Sequence, residues 1–349
     1  MTRKIILSAA ALAAILAFPA SQASAQDIHF TQFDAAPLTI NPAFTGGFNG
    51  RLRAAAIYRD QWRSVTIPFV TYSVSLDAPL IHELAGDDYL AGGLQFYNDK
   101  AGDGNLSNTS ILGSVAYHKF LGTGEGDPNK TISVGFQGGY TSKSIDISKL
   151  YFGDQFSEGL FGGGSHELLN NNVHYWTVNA GVSYAQKVGD NFAFTLGLGA
   201  NNLNQPKEAF ERERNSQVGL SMRYTGQLGA IINVSDRLAL RPAVLYQSQA
   251  TAAELVLGNE FAYTIGNPEF RDVTSTSVFA GIYYRNQDAI MVTGGLEFKG
   301  VRFGLSYDYN TSTLKDASNG NGGFEISIRY TMPNPLDFAR KLTYPCSRF

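Results

Sequence analysis

Val301-Arg302-Phe303-Gly304-Leu305-Ser306-Tyr307-Asp308-Tyr309-Asn310 puts an apolar or aromatic residue at every odd position and a Gly, polar or charged residue at every even one. Successive side chains of a strand point to opposite faces, so this stretch makes a strand with one oily face and one wet face. The same period returns along the chain. Phe324, Ile326, Ile328 and Tyr330 alternate with Glu325, Ser327, Arg329 and Thr331, and Leu52, Ala54, Ala56 and Tyr58 oppose Arg51, Arg53 and Arg59. Working outward on this template predicts fourteen strands, near 51-59, 69-77, 89-98, 109-120, 130-142, 174-187, 190-200, 222-234, 236-248, 253-264, 274-286, 289-299, 301-311 and 322-331. Most are close to the roughly 9 to 11 residues that a tilted strand needs to cross a bilayer, and several run longer than the soluble mode of about 5 to 6.

Composition narrows the class. The 349 residues are 44% apolar and only 16% charged, with 37 Gly, 23 Phe, 18 Tyr and a single Cys. This much apolar side chain excludes intrinsic disorder, and one Cys excludes an internal disulfide scaffold. A formal net charge of −3 removes the electrostatic case for nucleic acid, so no nucleic-acid partner is expected. Arg3 and Lys4, the apolar run from Ile5 to Phe18 and then Ala23-Ser24-Ala25 read as a secretory signal peptide over 1-25, cleaved before Gln26. An even number of long antiparallel strands on an exported chain predicts an all-β transmembrane barrel of the outer-membrane type, over 51-331.

The links between strands fit that reading. With the mature N-terminus in the periplasm, the very short links 188-189, 235 and 300 fall on the periplasmic side. The long links 143-173, 201-221 and 312-321 fall outside, as is usual for such barrels; 265-273 and 287-288 run against the pattern. Hydrocarbon offers backbone groups no partner, which is why the sheet must close. An apolar exterior would then meet outer-membrane lipid, with Tyr58, Tyr72, Tyr309 and Tyr330 near strand ends. Arg51, Arg53, Arg59, Asp77, Glu297, Lys299, Arg302, Asp308, Glu325 and Arg329 would share a polar lumen. A soluble β-sandwich has alternating strands too, but it turns its charges to water and usually carries more of them.

Few residues suggest chemistry. His29, His82, His118, His166 and His174 show no metal-ligand spacing from one another or from Cys346, so neither metal nor cofactor is expected. Ser114 and His118 share a strand face, as a Ser-His hydrolase would require, but lack a third orienting group. Gly122-Thr123-Gly124-Glu125-Gly126 lacks the Lys-Ser/Thr of a phosphate loop and reads as a turn. Two stretches stand apart from the wall. Residues 26-50 are dense in aromatics, amides and Pro, and 332-349 contain Pro333, Pro335 and Pro345, which forbid a regular ladder. Both are expected to emerge at the periplasmic mouth, the first as a plug or a periplasmic contact, the second as a periplasmic tail.

Gln26-Asp27, Phe30-Thr31-Gln32-Phe33, Pro37-Leu38, Asn41-Pro42-Ala43 and Gly46 resemble the opening motif of the PorP/SprF family of Bacteroidetes outer-membrane proteins. Tyr58-Arg59-Asp60-Gln61-Trp62 matches that family's next signature, followed by Tyr72-Ser73, Ser75, Asp77 and Asn98-Asp99-Lys100-Ala101-Gly102. Asp146 through Asp154-Gln155-Phe156 resembles its long loop, and Ser306-Tyr307-Asp308-Tyr309 its penultimate strand. The resemblance spans nearly the whole mature chain. It implies a non-enzymatic barrel associated with type IX secretion and gliding. Such a barrel would bind the C-terminal domain of a secreted adhesin or cargo, periplasmic components of the secretion machine, or both. Candidate partner-binding residues are Phe30, Gln32, Phe33, Asn41, Pro42, Tyr58, Arg59, Asp60, Trp62, Asp154, Phe156, Arg212, Arg214 and Phe349, since aromatic and Arg side chains make the strongest anchors. The competing readings are a solute channel or transporter of the porin or fatty-acid type, and an outer-membrane enzyme.

Overall fold

The structure, a computed structural model, describes residues 28–65, 67–85, 87–121, 129–152, 155, 169–208, 210, 219–265, 276–313, 315–333, 344–346 and 349. The expected signal peptide, the glycine turn 122–126 and the candidates Asp154, Phe156, Arg212 and Arg214 lie outside these residues.

Fourteen antiparallel strands form one closed barrel in chain order. They are β1 (Leu52–Gln61), β2 (Phe69–Ile81), β3 (Tyr89–Ala101), β4 (Leu106–Phe120), β5 (Lys130–Ser144), β6 (Asn172–Val188) and β7 (Phe192–Asn201), then β8 (Arg223–Asn233), β9 (Leu238–Gln249), β10 (Ala252–Ile265), β11 (Thr276–Arg285), β12 (Ala289–Phe298), β13 (Val301–Asn310) and β14 (Asn321–Met332). The seam runs from Leu52↔Met332 to Gln61↔Gly323, so no strand edge is left along the wall. Each predicted strand is present. Several run further than expected, most clearly β2, which continues past 77 through Pro79 to Ile81. Pro79 carries no N–H, and the β2–β3 ladder shifts register between Pro79 and Ile81 to accommodate it. Pro242 is handled differently: β8–β9 pairing stops at Gly229↔Ala243 and resumes at Ile232↔Leu240 in an unchanged register.

Burial is inverted relative to a soluble protein. Phe136 and Leu94 are each 62% exposed and Ile282 63%, while Arg53, Arg59, Gln95, His118, Glu260 and Glu325 are buried. Such a chain needs hydrocarbon outside and a dry polar network within. The oily band can be measured on two neighbouring strands. Ile132↔Tyr184 and Tyr140↔Trp176 are paired positions of β5 and β6 that mark its two limits. Eight residues at strand rise and barrel tilt span about 20 Å, close to the apolar height of outer-membrane barrels. Past Tyr140 and Trp176 the outward residues become Ser142, Ser144, His174 and Asn172, so β5 and β6 stand proud of the membrane on that side.

The two mouths differ. β1 starts and β14 ends at one, called here the terminal mouth, which also carries the short links 189–191, 234–237 and 299–300. The long links 145–171, 202–222 and 311–320 open on the other, the loop-bearing mouth. At the terminal mouth Asp88 ties the β2–β3 link to β4. Burial would raise its carboxyl, but hydrogen bonds from the Tyr117 hydroxyl, the Phe120 N–H and the Lys119 ammonium outweigh that and hold it below the ordinary aspartate value.

Candidate functional site

The bore is occupied by the chain itself. Residues 30–48 are buried almost without interruption, in three short helical turns at Phe33–Ala35, Pro37–Ile40 and Pro42–Phe44. Pro37 and Pro42 open the second and third turns, where a missing N–H costs nothing, and the Asn41 side chain accepts from the Ala43 N–H. Away from water the backbone polar groups of such a segment need partners, and its own turns and the wall share the task.

The contacts trace its path. At the loop-bearing mouth Arg223, first residue of β8, donates to the Ile28 carbonyl at 3.3 Å, and His29 lies 3.9 Å from Glu254 of β10. Thr31 donates from its hydroxyl to Asp308 at 2.6 Å, and the Thr31 and Gln32 N–H groups both donate to Glu325, at 2.7 and 2.9 Å. Further down, Arg329 donates to the Asp34 carbonyl at 3.1 Å. The segment then climbs the opposite wall, where Arg223 also donates to the Thr39 carbonyl and Thr225 to that of Ile40, each at 2.9 Å. Asn41 donates across mid-wall to the Val182 and Leu198 carbonyls, both at 3.1 Å. The chain descends again past Thr45, bonded to Ser114, and Gly46, bonded to Asp77.

Small residues in the wall make room for this segment. Gly135 faces inward on β5, and a Cβ there would stand 2.3 Å from the Pro42 carbonyl carbon and 2.4 Å from the Ala43 nitrogen. Backbone cannot swing aside as a side-chain tip can. Gly135→Val should therefore cost about 1–3 kcal/mol through overpacking. A fall in the thermal or denaturant midpoint of the detergent-solubilised barrel would register it, and an unchanged midpoint would mean that the 42–44 turn is not seated against β5.

Three buried ion clusters hold the segment. Arg59 bridges Asp308 and Glu325 and donates to the Thr31 hydroxyl, while Arg285 approaches Asp308 from β11 and Glu254 from the other side. Arg302 pairs with Glu260, Glu297 and Asp34, and Arg241 pairs with Glu260 and Glu297. Arg53 forms a two-pronged pair with Asp77 and donates to the carbonyls of Phe44 and Phe349, at 2.9 and 3.0 Å. Charges out of water are tolerable only when paired and hydrogen-bonded in this way.

The described part of the tail lies in the bore as well. Phe349 stacks on Phe44 with centroids 5.0 Å apart, and Phe33 lies between Phe349 and Tyr283 at 6.1 and 6.0 Å. Asn49 accepts from the Tyr344 N–H, and Thr195 donates to the Cys346 carbonyl at 2.9 Å. Cys346 is buried against Ala185 and Tyr344.

The structure thus gathers Phe30, Gln32, Phe33, Asn41, Pro42, Arg59 and Phe349 inside the bore, where their partners belong to this chain. Tyr58 points outward, its hydroxyl 3.4 Å from Asp60, which also pairs with Arg63. Trp62 packs edge-on against Phe69 in the β1–β2 link at the loop-bearing mouth. Two lumen expectations are corrected. Arg51 precedes β1 and is exposed, and Lys299 sits in the tight β12–β13 turn, exposed beside the Phe298 ring. The charge lies beyond the end of the alternating stretch in both cases. Arg241, Glu254, Glu260 and Arg285 were missed, although each is a charge inside a strand, the signal that identified the others. Ser114 does not meet His118. The imidazole lies 2.7 Å from both the Thr45 carbonyl and the Ser133 hydroxyl, so Nε2 must donate to the carbonyl while Nδ1 is engaged by the hydroxyl.

A family described as type IX secretion system membrane protein PorP/SprF matches residues 22–330. No curated protein matches the chain. Among solved structures, the chain is similar to the CymD monoaromatic hydrocarbon channel, at 12% identity and a TM-score of 0.46, covering 86% of this chain and 93% of that one. It is similar to the Ralstonia pickettii toluene transporter TbuX at 11% identity and 0.45, covering 85% and 94%. For the Pseudomonas putida toluene transporter TodX the values are 11% and 0.45, covering 87% and 93%.

Proposed function

Since this chain belongs to the PorP/SprF family of type IX secretion system membrane proteins, we propose that it is a non-conducting, non-enzymatic scaffold that holds secreted cargo at the cell surface. The barrel resides in the bacterial outer membrane. The observation that carries the reading is the filled bore: residues 28–50 and the tail bond to the inward face of most strands, leaving the polar lumen committed to its own chain. A solute channel needs the opposite. On this reading 26–50 is the plug, 51–331 the wall and 332–349 the tail, with the terminal mouth toward the periplasm.

The division of labour follows from the mouths. The loop-bearing mouth, with links 145–171 and 202–222 and the protruding ends of β5 and β6, receives the C-terminal domain of an adhesin or other cargo. Tyr58, Asp60 and Trp62, together with Asp154, Phe156, Arg212 and Arg214 of the long links, are its candidate anchors. The terminal mouth meets periplasmic components of the machine. Both nitrogens of His118 are engaged within the bore, which argues against the hydrolase reading.

Replacing 150–168 with a short Gly-Ser linker tests the cargo assignment. The expected result is loss of cargo from the cell surface while the barrel still folds, judged by its heat-dependent shift in gel mobility. Cargo retained at the normal level would overturn the loop assignment, and steady unit currents from the purified full-length chain would overturn the non-conducting scaffold.

A further inference from the structure

We infer that Ile28–Gly50 is a strap threaded through the bore from one mouth to the other, so that the amino end of the mature chain is displayed at the loop-bearing mouth, within the surface a secreted partner meets. Gly50 sits beside Met332 and Thr331 at the terminal mouth, and the Arg51 N–H donates to the Met332 carbonyl. Ile28 and His29 sit at the opposite rim, against Arg223 at the start of β8 and Glu254 near the start of β10. Both strands border the loop-bearing mouth, because the β7–β8 and β9–β10 links open there.

Chain reach fixes the consequence. The cleavage expected before Gln26 leaves two residues ahead of Ile28, and an extended chain covers at most about 3.6 Å per residue, or about 7 Å in all. The apolar belt of such a barrel is about 25 Å tall, so the new amino end cannot return to the terminal mouth. The arrangement differs from the expectation that both ends of the mature chain emerge together.

His29, Arg223, Gln247, Ser248, Gln249 and Glu254 line a shallow depression at this rim, beside the point where β7 stops at Asn201 and β8 begins at Arg223. The 145–171 and 202–222 links leave and rejoin the wall at this same mouth. A protein arriving from outside would therefore meet the amino end, the rim and the loops as one surface. From that end the strap leads through Thr31 to the Arg59 cluster and through Gly46 to the Arg53 cluster.

Which side of the membrane this mouth faces rests on the orientation given under Proposed function, so the test separates the two. In a Cys346→Ser background, an epitope is inserted between Gln26 and Asp27, and Asp103→Cys and Asp236→Cys report on the loop-bearing and terminal mouths through an impermeant maleimide. The expected result in intact cells is that antibody reaches the epitope and maleimide reaches Asp103→Cys, with Asp236→Cys reacting only after permeabilisation. An epitope reached only after permeabilisation, with Asp103→Cys still reacting in intact cells, overturns the threaded strap. If Asp236→Cys alone reacts in intact cells, the orientation fails; an epitope hidden together with Asp103→Cys then supports the strap, and one exposed together with Asp236→Cys overturns it. Should the tagged chain fail to fold, His29→Cys paired with Glu254→Cys in the same Cys346→Ser background should be joined by a short bis-maleimide cross-linker, since their side-chain ends meet at 3.9 Å, and no cross-link overturns the inference.

Discussion

Deleting residues 30–44 from the mature chain should turn a silent barrel into an open pore. The wall does not depend on the segment for closure, because all fourteen ladders pair strand with strand. What the segment supplies is the packing of the interior. Its removal withdraws Thr31 and Gln32 from Glu325, Asn41 from the Val182 and Leu198 carbonyls, and Phe33 and Phe44 from Phe349. The tail loses its stacking partners in the same step. Inward groups such as Gln95, Gln137, Thr225 and Gln227 are polar, so water replaces the lost protein contacts. Planar-bilayer recordings should show no unit steps from the full-length protein and stable steps from the deletion, with mixed Arg and carboxylate lining giving weak ion selectivity. Equal currents from both, or silence from both, would mean that something other than 30–44 governs the bore.

How far this was legible depends on whether a feature is periodic. Alternation in segments such as Val301–Asn310 exposed the strands, their number and the polarity of the two faces, because a strand reports its environment every second residue. Arg59, Asp308 and Glu325 were each readable as inward charges. Their meeting was not, since β1 and β13 are separated by β14 and only closure of the wall, with Thr31 between them, brings the three together. The strap itself has no period. Phe30, Gln32 and Asn41 announced that residues 26–50 were more than a solvated leader, but the direction in which a non-repeating segment crosses a lumen is set by partners on distant strands. Asn41 illustrates this: its side-chain amide donates to backbone carbonyls on β6 and β7. The expected end of β2 at 77 fell short because the ladder continues through Pro79, with a register shift before Ile81 that tolerates the missing N–H.

Arg59→Met should be the most destabilising single substitution in the interior charge network, by about 3 kcal/mol, the lower end of the range for breaking a buried pair from one side. Met has a comparable length and no charge, so the change leaves little cavity and isolates the electrostatic loss. The estimate sits at the lower end because the two carboxylates keep other donors. Asp308 retains the Thr31 hydroxyl and Arg285, and Glu325 retains the Thr31 and Gln32 N–H groups and the Ser306 hydroxyl. Unfolding by denaturant in detergent or lipid would measure the loss, with wild-type stability in the variant excluding the cluster as a structural anchor. A triple variant separates anchoring from ion pairing. Apolar replacement of a whole buried ionic group is often neutral or favourable. Arg59→Met combined with Asp308→Leu and Glu325→Leu should nevertheless recover only part of the deficit, because the Thr31 and Gln32 N–H groups lose their acceptor and each orphaned donor costs about 1–3 kcal/mol. Full recovery would reduce Glu325 to a counterion for Arg59, whereas a persistent deficit identifies it as the residue by which the wall grips the strap.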